Sequence, residues 1–157
     1  MRRQGLCAAV FGSVLAGGCA GTPAPLTAAQ LVQRADAICR QAGHPYAGAR
    51  PTEPAAFLSF LQAQLPAQEH GLTALEALKA PADGRGAWSS QVLAPEREQL
   101  ADGTEAAAKL TSLIGRGDRA GAYALVLTTA NRLDARGAGI NRYWTAAGAT
   151  SCLDSPL

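Results

Sequence analysis

The sequence predicts an all-α protein: an antiparallel up-down-up-down four-helix bundle behind an N-terminal export signal and a short tether. Three observations predict it. Between Asp118 and Ala147, the positions Tyr123, Val126, Ala130, Leu133, Gly137, Ile140, Trp144 and Ala147 recur in alternating steps of three and four. That is one continuous seam on a long α-helix, and a seam of that length needs other helices to cover it. Ala, Leu and Gly dominate the 157 residues, and aromatic residues make up only 5%, so side chains that favour strands are scarce. Finally, four amphipathic segments are joined by mostly short loops, the pattern of a bundle.

Residues 1–18 come first. Arg2 and Arg3 form a basic start, Leu6 to Ala16 an apolar run too short to span a bilayer comfortably, and small residues then lead to Cys19. Leu15-Ala16-Gly17-Gly18-Cys19 resembles a bacterial lipobox, with Ala16 where the commonest version has Leu. The resemblance implies diacylglyceryl transfer to Cys19, cleavage before it and acylation of its new amine. An ordinary secretory signal with an incidental Cys19 is the plainer reading. Residues 19–26 (CAGTPAPL) are then a short extended tether, and residues 27–157 form the bundle domain.

Helix one starts at Thr27, which makes a capping box with Gln30. Leu31, Ala35, Ile38 and Ala42 share a face, and Gly43 is placed to end the helix. His44 to Pro51 is a loop. Helix two starts after Thr52 with Pro54 in its first turn. It carries Phe57, Leu61, Leu65, Leu72, Leu75 and Leu78, and Pro66 should kink or split it. Helix three begins near Ala87, with Trp88, Val92, Leu100, Gly103, Ala107, Leu110 and Ile114 as its stripe. Pro95 should bend or break it early. Arg116-Gly117-Asp118 turns the chain, Asp118 caps helix four, and Gly148 ends it. Helix four would span roughly 45 Å. Gly103 and Gly137 suggest close helix contacts, or a local bend. Arg136 lies off the seam, so its substitution should be nearly silent.

Two pieces of the chain resemble a family of small secreted or lipid-anchored helical proteins common in actinobacteria. They are Ala35-Asp36-Ala37-Ile38-Cys39 in helix one and Ala146-Ala147-Gly148 followed by Cys152. Ala149 stands where that pattern carries a large apolar residue. The resemblance implies a helical bundle and a disulfide between Cys39 and Cys152, and it implies no activity. The thiol inventory agrees: Cys7 leaves with the signal and Cys19 carries lipid, which leaves two cysteines for an oxidising compartment. In an up-down bundle the bridge requires the tail after Gly148 to fold back along helix one, or helix one to sit low against helix four.

Little else points to chemistry. Without Arg2 and Arg3 the 14 basic residues fall to 12, equal to the 12 acidic ones, so no electrostatic footprint for nucleic acid exists. His44 and His70 lack the Glu-x-x-His spacing of a di-iron bundle, so no metal or cofactor is expected. Glu96 and Glu98, like Glu69 and Glu76, read as a solvated face. The Arg-Gly-Asp tripeptide is explained by the Asp118 cap, and Trp88 and Trp144 by the core. The expected function is a lipid-anchored, non-catalytic binding or structural module on the extracytoplasmic side of the envelope, its membrane contact made through the lipid. The alternative is an enzyme or small-ligand carrier with a pocket between the helices.

Overall fold

The computed structural model describes residues 24–42 and 49–153. Residues 1–18, the stretch read as an export signal, together with Cys19, Gly43 and His44, lie outside the described residues. Those described form a helical bundle without strands. Its helices are α1 (Ala28–Ala42), α2 (Pro54–Glu76), α3 (Arg85–Trp88), α4 (Ala94–Gly115) and α5 (Arg119–Ala147). A π-helical turn, Ser89–Leu93, joins α3 to α4, and a 3-10 turn, Thr150–Cys152, ends the described chain.

Local chemistry accounts for the helix ends. The Thr27 amide donates to Gln30 Oε1 at 3.0 Å and the Gln30 amide to Thr27 Oγ1 at 3.2 Å, the reciprocal capping box. On α2 the cap is Glu53 rather than Thr52: its carboxylate accepts from the Ala56 amide at 2.9 Å, with Pro54 at the first helical position. Asp118 accepts from the Gly121 amide at 2.9 Å. Gly117 before it and Gly148 after α5 take φ of 71° and 77°, a conformation that glycine adopts without a Cβ clash.

The two interior prolines are handled differently. Pro66 neither splits nor ends α2, which runs through it as one helix. Pro66 and Gln62, the residue four back whose carbonyl loses its partner, are both exposed, so water can satisfy that carbonyl. Pro95 sits just after the π-helical turn, where the Ala94 amide bonds to Ser89 O five residues back. The wider turn makes room for the proline ring and lets α3 and α4 follow one path.

The interior holds two apolar clusters. One gathers Leu31, Ala35, Leu75, Trp88, Val92, Ile140 and Trp144. The other gathers Phe57, Leu61, Ala106, Leu110, Val126 and Leu133. The α5 seam supplies both. Val126, Leu133, Ile140 and Trp144 are buried, and Ala130, Gly137 and Ala147 half-buried. Tyr123 is the exception, exposed at the start of α5, while Ala122 and Thr129 are buried beside the seam. Trp144 meets Trp88 edge-on at 5.8 Å and Tyr143 at 5.2 Å between ring centroids.

Gly103 makes the close contact expected of it: a Cβ there would lie 2.9 Å from Leu65 Cδ2, so α2 and α4 approach over bare backbone. Gly137 does not, since a Cβ there would meet nothing within 4 Å. Arg136 is not idle either. Its Nε donates to Asp102 at 2.8 Å and its Nη1 to Glu98, which ties α5 to α4.

Candidate functional site

Cys39 and Cys152 form a disulfide, with their Cα atoms 5.2 Å apart and a sequence separation of 113. The end of α5 comes beside the earlier turns of α1, where Ala146, Ala147 and Gly148 line a surface cavity with Ala28, Val32 and Asp36, so the tail still has to climb to Cys39. It does so by folding back. Gly148 reverses the chain, the Ala149 amide donates to Trp144 O at 3.1 Å, and the 3-10 turn lays Cys152 against α1. The Ser151 amide donates to Asp36 Oδ1 at 2.8 Å, and Ala149 is 1% exposed. Ala149 is thus enclosed by the reversal, and a large apolar residue would have to displace its neighbours. Asp36, from the Ala-Asp-Ala-Ile-Cys stretch, also holds Arg40 at 2.8 Å. The two pieces of sequence singled out for a resemblance therefore meet in space.

One site residue departs from expectation. Glu96 is not on a solvated face: it is 4% exposed, on the core side of α4. Burial alone pushes its pKa from 4.5 up to about 8, and no hydrogen bond or ion pair reaches its carboxyl among the described residues. The buried side of α4 is Glu96, Gln99, Gly103, Ala106 and Leu110. It has the same alternating spacing as the stripe read from the sequence, displaced so that Gln99 is buried more deeply than Leu100 and Ile114 is exposed. Gln64 and Gln68 on α2 are buried as well, and Gln64 Oε1 and Gln99 Oε1 find no donor. These polar side chains sit between the two apolar clusters in sequence order on both helices. Glu98, two residues on, is exposed and faces Arg136, as the solvated reading requires.

The remaining candidates stay apart. His70 and Glu69 are exposed on α2, and Glu76 binds Arg97 at 2.6 Å. Asp118 spends its carboxylate on the α5 cap, and Arg116 donates to Ser112. No group of three or more His, Cys, Asp or Glu that could hold a metal occurs among the described residues. No described helix is long and apolar enough to cross a membrane.

A cavity of about 640 Å³ opens where residues 24–26 meet the bundle, between Pro25, Leu78, Arg85, Trp88, Ser89 and Leu93. The chain before α1 is held there by the Leu26 amide, which donates to Lys79 O at 2.9 Å. No protein-family model, no curated protein and no solved structure matches the chain.

Proposed function

We propose that the protein is a lipid-anchored, non-catalytic module of the cell envelope, held on the extracytoplasmic side through Cys19. The observation that carries this reading is the Cys39–Cys152 bridge. Disulfides persist outside the reducing cytoplasm. With Cys7 in the signal and Cys19 acylated, every remaining cysteine is accounted for by that bridge. The boundaries proposed are a signal over 1–18, an acylated Cys19 with its tether to residue 26, and the bundle from residue 27. The finer arrangement proposed is up-down-up-down. It is supported by the Asp102–Arg132 pair at 3.0 Å across the α4–α5 turn and by Glu76 meeting Arg97 while Leu65 meets Gly103. Membership of the small helical lipoprotein family remains part of this proposal, supported by the meeting of Asp36 and Cys39 with the Cys152 tail.

The test is direct. Cys19→Ala should leave an unprocessed precursor that takes up no fatty-acid probe. Undiminished labelling in that variant would sink the anchor. A second reading, a small-ligand carrier, is favoured by the cavity beside the tether.

A further inference from the structure

The cavity beside the tether combines two chemistries. Pro25, Leu78 and Leu93 give it apolar wall, Arg85 and Ser89 give it polar groups, and no carboxylate is among its lining residues. Its volume of about 640 Å³ falls within the range of small-molecule sites. Arg85 is exposed and forms no ion pair among the described residues. Trp88, also in the lining, is 2% exposed, and its Nε1–H is a buried donor with no acceptor. The comparable cavity near Tyr123 offers no such charge, because its Arg50 is already bound to Asp134 at 2.7 Å and to Ala130 O at 3.2 Å.

We propose that this cavity takes an anionic phospholipid, with the phosphate on Arg85 and the apolar portion against Leu78 and Leu93. The source of the ligand rests on the lipid-anchor reading. Ala24 and Pro25 line the cavity, and Cys19 lies five residues before Ala24. An extended tether of that length reaches at most about 18 Å. An acyl chain on Cys19 would thus hold the cavity at the bilayer surface, where anionic headgroups are the concentrated ligand. A bare phosphate satisfies Arg85 and leaves the apolar wall empty.

The full chain carrying Cys19→Ser, which has no acyl group of its own, is titrated with dihexanoyl phosphatidylglycerol below its micelle threshold. Tryptophan fluorescence is the readout, since Trp88 lines the cavity. Dihexanoyl phosphatidylcholine and inorganic phosphate are the comparison probes. The expected result is a saturable change with the phosphatidylglycerol, at least tenfold weaker with either comparison probe. Arg85→Gln, at an exposed position, should weaken it at least tenfold with the melting temperature unchanged. No saturable change, equal affinity for phosphatidylcholine or phosphate, or unaltered affinity in Arg85→Gln would overturn the site. Fatty-acid labelling of Cys19 in the unsubstituted protein reports the anchor separately. Binding without labelling removes the anchor and keeps the site, and labelling without binding does the reverse.

Discussion

A carboxyl group at position 96 occupies a place where the packing of α4 calls for an apolar side chain. Its neutral form is the one the fold accommodates, because desolvation penalises the charge. The folded pKa of about 8 lies above the unfolded value of 4.5, so the folded state holds the proton more tightly. Stability from this group is therefore fully present below pH 4.5 and is lost as pH rises through 8. The total change across that window is at most about 5 kcal/mol. Glu96→Gln keeps the shape and removes the titration. Its denaturant midpoint should exceed that of the parent at pH 9 and converge with it near pH 4. Parallel pH profiles for the two proteins would show that Glu96 is not the group responsible. The sequence concealed this residue for a specific reason. Pro95-Glu96-Arg97-Glu98 reads as charged surface, and Leu100 draws the stripe one position away from Gln99. The spacing Val92, Glu96, Gln99, Gly103, Ala106, Leu110 was present all along, but hydrophobicity alone gives no cause to choose it over the register containing Leu100 and Ile114.

At the scale of elements, α5 was the most legible because its seam, Tyr123 to Ala147, repeats over about seven turns and is capped at both ends by residues with one evident use, Asp118 and Gly148. Ile140 is 3% exposed within the cluster around Trp88 and Trp144. Ile140→Asp should cost several kcal/mol by burying an unpaired carboxylate. Ala138, exposed two residues away, is the proper control, and Ala138→Asp should change stability by no more than about 0.5 kcal/mol. Equal losses in thermal melts would mean that the seam is misplaced. Arg136 cannot serve as that control, since reversing its charge would set three carboxylates together with Asp102 and Glu98. Such cross-helix ion pairs depend on which faces meet, and periodicity within one helix does not reveal that. The α3–α4 junction was half legible. Pro95 announced a disturbance, but a widened turn rather than a break follows from the long helix on its C-terminal side and the Trp88 anchor on the other.

For the whole molecule, the disulfide is the main constraint. It closes a loop of 113 residues, which the chain-entropy model values at about 5 kcal/mol. A non-reducing tryptic digest of the purified protein should yield one linked pair of peptides containing Cys39 and Cys152. Two alkylatable thiols in that material would refute the bridge. The double variant Cys39→Ser/Cys152→Ser should melt at lower temperature and lose any sensitivity to reductant. The pairing was foreseeable from the cysteines, and the fold-back of the tail was one of the two routes it allowed; the seat of the tail was not. Gly148 signalled a reversal, while the seat of the tail on Asp36 and the enclosure of Ala149 depend on how α1 and α5 stand together.

That bridge also determines how the protein would respond to mechanical load. A pull between the tether and the residues after Cys152 travels through α1 to Cys39 and crosses directly to Cys152. The helices between them carry no tension. Between Thr27 and Cys39 the chain is at most about 40 Å long when fully extended, instead of about 430 Å from Thr27 through to Cys152 in the reduced protein. Tugging on an anchored molecule would fray α1 and leave the rest of the bundle folded, and adding a reductant would turn the same force into complete unravelling.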